Sequence, residues 1–206
     1  MSDVTRSADA TNPLAVREVE RRRKSFSNAT WGVMLLIATE TTVFAVLFAT
    51  YMYFRTKNVN WPPPGVENPK VAWPLILNGI LVCSTVPMFL ASRAARAGRP
   101  RRAWWLVLVA LCIQGFFFAF QLHEIASDFQ KFKPSGSSYA SIYFTMLGVH
   151  QAHVALGILA CVWLIGKLAT GLTNYRAQAM RAIAIYWYFV NLMAVFTVLI
   201  QVSPSL

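Results

Sequence analysis

Acidic residues are scarce in this 206-residue chain, eight against nineteen lysines and arginines, for a formal net charge of +11. Cysteine and histidine are scarcer still, three of each. Cys83, Cys112 and Cys161 fall in three different apolar runs with no paired spacing. That excludes a disulfide framework and a thiolate metal site, and leaves the three as small packing residues. With His123, His150 and His153 as the whole histidine complement, no second cluster of thiolates or carboxylates is at hand to complete a metal centre. The first 28 residues hold no apolar stretch of about 7–15 residues ahead of a small-residue cleavage site, so nothing there reads as a cleaved signal peptide. Internal repeats, low-complexity tracts and the ~10-residue alternating segments of a transmembrane barrel are missing too.

Long apolar runs are what the chain has instead. Five reach the ~20 residues a spanning helix needs: Ala29 to Phe54, Val71 to Ser92, Ala103 to Ser127, Tyr139 to Gly166 and Ala182 to Val202. They predict an all-α fold, a bundle of five transmembrane helices over residues 29–206, preceded by a flexible basic tail over residues 1–28 in which Ser27 or Asn28 caps the first helix. The basic residues are distributed unevenly. The tail, the second connection (Arg93, Arg96, Arg99, Arg101, Arg102) and the fourth (Lys167, Arg176, Arg181) share one side and carry 14 of the 19 cations; Arg55, Lys57, Lys70, Lys131 and Lys133 make up the 5 on the other. The positive-inside rule then puts the N-terminus in the cytoplasm and the C-terminus outside. So placed, the basic runs are topology signals and anionic-lipid contacts rather than a nucleic-acid surface.

At ~1.5 Å of rise per residue, Glu40, Gln114, His150 and Asn191 all fall ~14–17 Å deep, near the middle of a ~30 Å hydrocarbon layer. Polar groups at that depth are expelled from lipid, by at least ~2.5 kcal/mol for an ionised Asp, so they are expected to turn inward and pair. Desolvation raises a carboxyl pKa, so Glu40 is expected to be protonated or hydrogen-bonded to a partner such as His150. The layer reads either as a proton site or relay, or as a buried network that specifies helix packing. His150 and His153, three apart on one helix face, have a spacing that could ligate a metal, but interhelical hydrogen bonding suits them better. Gly148, Ala152, Ala155 and Gly157 on the same helix would let a neighbour approach closely. Glu124, after His123, sits where a solvated helix end is cheap. Only Pro87 interrupts a span. Trp61-Pro62-Pro63-Pro64-Gly65-Val66 cannot form a helix and predicts a stiff extended turn with an interfacial tryptophan, a docking loop.

Several of these stretches, taken in order, resemble one family. Ala38-Thr39-Glu40-Thr41-Thr42-Val43-Phe44 is similar to the Thr-Glu-x-x-x-Phe stretch of subunit III of haem–copper oxidases, and the Trp61 to Val66 segment resembles the Trp-Pro-Pro-x-Gly that follows it. Pro74-Leu75 with Asn78 resembles Pro-Leu-x-Asn, and Gln121 with Glu124 resembles Gln-x-x-Glu. Tyr143 to Val154 looks like Phe-Phe-x-x-Thr-Gly-Phe-His-Gly-x-His-Val, and Tyr186 to Asn191 resembles Tyr-Trp-His-Phe-Val-Asp. The likeness covers roughly residues 30 to 203, as in the short five-helix bacterial form. Where the family has His and Asp, this chain has Tyr188 and Asn191, so neutral hydrogen-bonding groups replace an ionisable pair.

The resemblance implies a non-catalytic core subunit of a proton-pumping cytochrome c oxidase in a bacterial cell membrane. Its partners would be subunits I and II, which hold the haems and copper, and bound phospholipid; this chain would carry no redox centre and meet no nucleic acid. The complex is open to joining a larger respiratory supercomplex. In that family subunit III packs on subunit I, binds lipid and sustains proton uptake. Glu40 is assigned to a buried polar interface site, with His150, His153, Gln114, Glu124, Tyr188 and Asn191 as further members. An accessory subunit of a quinol oxidase or nitric oxide reductase would have a similar body, though the Trp-Pro-Pro-Pro-Gly loop favours the cytochrome c branch. A proton-coupled transporter with Glu40 as carrier is disfavoured, because five helices do not divide into two equal repeats.

Overall fold

The computed structural model describes residues 28–64, 66, 71–171 and 173–205. The basic tail, its cap at Ser27, and Gly65 and Lys70 lie outside them. Among the described residues there is no strand, and the five expected spans are all helical. Helix α1 runs Asn28–Lys57, α2 Ala72–Cys83, α3 Thr85–Arg96, α4 Pro100–Lys131, α5 Ser138–Ala169 and α6 Asn174–Val202, with short 3₁₀ turns at Pro134–Gly136 and Ser203–Ser205.

Two boundaries differ from expectation for physical reasons. The second span is two helices, because Pro87 has no N–H for the Cys83 carbonyl and the ladder breaks one turn upstream of it, where Ser84 N–H turns back to Leu81 O at 3.0 Å. Helix α6 starts at Asn174, eight residues before the expected Ala182, because hydropathy ends at the charges of Arg176 and Arg181 while the helix does not. Thr173 caps it, its Oγ1 accepting from Arg176 N at 3.3 Å. Between α3 and α4 the chain reverses in three residues, made possible by Gly98 at φ +69°, a conformation that favours glycine.

Helix α6 is the centre of the bundle and packs against α1, α2, α3 and α5. Its most apolar stretch is 61% buried, against 6% for that of α1, which lies on the outside and buries only Thr30, Phe44 and Tyr51. In a bilayer such outward apolar surface meets lipid or another subunit, and helices associate by close packing rather than by escape from water. The tightest packing is at Trp187 of α6, which is fully buried against Gly157 of α5 and whose Nε1–H donates to Cys161 Sγ at 3.0 Å. Of the four small residues expected to admit a neighbour, Gly157 does so. Gly148 faces open space and Ala152 is exposed. The cysteine expectation needs a similar correction: Cys161 is a buried packing residue, but Cys83 and Cys112 are exposed on the bundle's surface. A helix in a bilayer can be apolar all round, so apolar character alone did not say which way they point.

Candidate functional site

One face of α1 carries Glu40, Phe44 and Tyr51, spaced by four and seven residues, toward α5 and α6. The threonines around Glu40 look after themselves. Thr39, Thr41 and Thr42 donate their hydroxyls to the carbonyls of Leu36, Ile37 and Thr39 within the same helix, at 2.6–2.7 Å. Glu40 alone in this run reaches across, and its Oε2 lies 3.0 Å from Nε2 of His153 on α5.

The partner is therefore His153 and not His150. Nδ1 of His153 lies 2.7 Å from Val149 O, one turn back on α5. A carbonyl can only accept, so Nδ1 carries a proton and donates it. That fixes what remains: either a neutral Nε2 accepts from a carboxylic acid, or an imidazolium Nε2–H donates to a carboxylate. In both arrangements one proton lies along the 3.0 Å line between α1 and α5. Tyr186 of α6 donates its hydroxyl to His153 O at 3.0 Å, and the Phe44 ring stands 5.2 Å from the imidazole. The pair is partly open at the bundle's surface, with Glu40 27% and His153 14% exposed by side chain.

The other members of the expected polar layer turn inward but do not join it into one network. His150 is buried between the edges of Phe44 and Phe117, at centroid distances of 6.5 and 6.4 Å. Among the described residues neither of its ring nitrogens has a hydrogen-bond partner, and the same holds for both amide atoms of buried Gln114 and of Gln151. Asn191 instead engages the break in the second span. Its Nδ2 donates to Thr85 Oγ1 at 2.8 Å and lies 3.4 Å from Leu81 O, the carbonyl at the broken turn. Tyr188, three residues earlier, is half-buried against the apolar core and is not bonded to Asn191, so the two positions that are His and Asp in the family pattern act separately here.

A second polar cluster lies at the end of the bundle that carries the α1–α2 loop. Glu124 is half-buried there and makes no hydrogen bond among the described residues. The engaged acid is Asp128, one turn on: its Oδ2 accepts from Tyr143 OH at 2.8 Å, its Oδ1 from Lys131 Nζ at 2.9 Å, and Gln201 Nε2 donates to Tyr143 OH at 3.1 Å. This ties α4, α5 and α6 together. Beside it, Trp61 Nε1–H donates to Tyr51 OH at 3.1 Å, with its ring edge-on to Tyr51 and Tyr139 at 5.4 and 5.0 Å. The tryptophan expected at the interface is thus turned onto the bundle, leaving Pro64 exposed beyond half-buried Pro62 and Pro63. Sequence reasoning passed over Asp128, Tyr51 and Gln201, and met Tyr143 only as the first residue of a family motif. The available signal was Tyr139 and Tyr143 at helical spacing, one face of α5.

Among the described residues no three His, Cys, Asp or Glu side chains gather as metal donors. His123 is exposed on α4, apart from the α5 pair. The described residues thus offer no cluster of convergent donors of the kind a multi-ligand copper centre uses.

The family model described as Cytochrome c oxidase subunit III matches residues 22–202. A relative named cytochrome bo(3) ubiquinol oxidase subunit 3, from Pseudomonas aeruginosa, is 28% identical over 84% of this chain and 85% of its own length. A probable cytochrome c oxidase subunit 3 of Mycobacterium bovis is 32% identical over 82% and 85%, and cytochrome c oxidase subunit 3 of Bacillus subtilis 28% over 80% and 81%. With a match that runs from before α1 to the last residue of α6, the chain belongs to the cytochrome c oxidase subunit III family of the haem–copper oxidases.

Proposed function

We propose that this multi-pass membrane protein is the non-catalytic core subunit of a proton-pumping cytochrome c oxidase, seated on subunit I in a bacterial cell membrane with its N-terminus in the cytoplasm. The haems and copper belong to subunits I and II, and electron transfer and oxygen chemistry take place there. What this chain contributes is a packed, lipid-binding flank. Its basic second and fourth connections favour the cytoplasmic placement of that side.

The observation that carries the proton-linked part of this reading is the Glu40–His153 contact. A carboxyl and an imidazole that hold one proton between them, half-way along a spanning helix, form a site whose charge is balanced without a metal. His153 Nδ1 is engaged with Val149 O, so only Nε2 is free to exchange that proton. Asn191 and Tyr188 contribute hydrogen bonding and packing rather than charge. The cytochrome c branch draws support from the Trp61 loop and from the names of several relatives; a quinol oxidase is the second reading, favoured by the Pseudomonas aeruginosa relative. Oxygen uptake by the purified complex separates them. Turnover with reduced cytochrome c and not with ubiquinol is expected, and the opposite preference would reassign the branch.

A further inference from the structure

We propose that the short α3–α4 connection forms a binding site for the phosphate of one anionic phospholipid. An open cleft of about 570 Å³ lies at the start of α4, lined by Arg99, Pro100, Arg101, Arg102, Trp105 and Leu106. Its walls are mainly apolar, and three of its six lining residues are arginines.

Three features point to the same ligand chemistry. Arg99, Arg101 and Arg102 make no ion pair with an acidic side chain among the described residues, and the first turn of α4 contains no acid, so no described carboxylate compensates the positive charge there. Helix α4 also begins without a side-chain cap. Pro100 at its first position has no N–H, Ala103 N–H is taken by Arg99 O at 3.1 Å, and the amides of Arg101 and Arg102 are left for an anion. Finally, Trp105 is 54% exposed one turn into a helix long and apolar enough to span a bilayer, with Trp104 edge-on to it at 4.8 Å. An indole at that level marks the boundary between headgroups and acyl chains. A free phosphate would use the arginines and amides but not the apolar wall. A phospholipid uses both, the phosphate at the arginines and amides and the glycerol and upper acyl chain along Trp105 and Leu106. The site deepens the lipid-binding role above and rests on the cytoplasmic placement of this connection.

The test uses the full chain alone, so its outcome does not depend on whether oxidase partners are found. Native mass spectrometry would count lipids kept by the tagged chain after exchange into phosphatidylcholine micelles containing phosphatidylglycerol. The wild-type chain is expected to keep one phosphatidylglycerol, and R101Q/R102Q to hold it about 25-fold more weakly, at about fivefold per arginine removed. K167Q/R176Q, which removes the same charge from the other basic connection, is expected to keep it. Trp105→Ala leaves the charge and the insertion signal unchanged and is expected to weaken retention several-fold, which covers the case of a double variant that inserts poorly. Equal loss in both double variants, wild-type retention in R101Q/R102Q or in Trp105→Ala, phosphatidylcholine held as tightly as phosphatidylglycerol, or displacement of the lipid by inorganic phosphate would each overturn the proposal.

Discussion

Adding one methyl group at Gly157 tests the packing on which the bundle's geometry depends. An alanine Cβ there would stand 2.7 Å from Trp187 Cζ2 and 2.9 Å from Cε2, where carbon atoms in good contact sit about 3.5–4.0 Å apart. The indole has little room to retreat, being fully buried and held by its bond to Cys161 Sγ. Overpacking of this kind costs about 1–3 kcal/mol. Alanine is also the better helix former, by about 0.8–1.0 kcal/mol, so the net effect of Gly157→Ala ranges from near zero to about 2 kcal/mol destabilising. Gly148 on the same helix provides the control, because a Cβ there meets nothing within 4 Å and gains only the propensity term. The two variants should therefore differ by about 1–3 kcal/mol with propensity cancelled. Trp187→Phe, which removes the colliding ring atoms, should recover part of the loss in the Gly157→Ala background. Detergent-driven unfolding of the purified chain, followed by circular dichroism, measures the wild type and these three variants. If Gly157→Ala tracked Gly148→Ala to within about 0.5 kcal/mol, the Trp187 contact would not be the constraint described here.

Two further outcomes follow from the polar contacts. A double-mutant cycle between Glu40→Ala and His153→Ala is expected to give a coupling of about 0.5–1.5 kcal/mol in the same unfolding assay, whereas Glu40→Ala with His150→Ala should be close to additive; the reverse pattern would restore His150 as the partner. Asn191→Leu removes the donor to Thr85 Oγ1 and the second contact to Leu81 O, and leaves no polar group from α6 at the break, for a loss of about 1–3 kcal/mol; wild-type stability in that variant would remove Asn191 from the break.

The spans were legible in the sequence because a bilayer demands about 20 apolar residues in a row, a signal that needs no knowledge of neighbours. Rotation about each helix axis was not. A rise of about 1.5 Å per residue placed Glu40 and His150 at one depth, but His153 is less than one turn away, and only the packing of Phe44 against α5 decides which imidazole the carboxyl reaches. The break at Ser84 follows from Pro87, which was visible, while its filling by Asn191 joins residues more than a hundred positions apart. Gly157 was noticed as a small residue; its partner proved to be an indole rather than a helix backbone. Asp128 was passed over because nothing local distinguishes an acid bonded to Tyr143 from one at a solvated helix end.

The measurement that bears most directly on the account is purification through a tag on this chain, with a reduced-minus-oxidised spectrum and peptide mapping of what accompanies it. Haem absorbance together with oxidase subunits I and II is the predicted result. A colourless preparation from which subunits I and II are absent would contradict it.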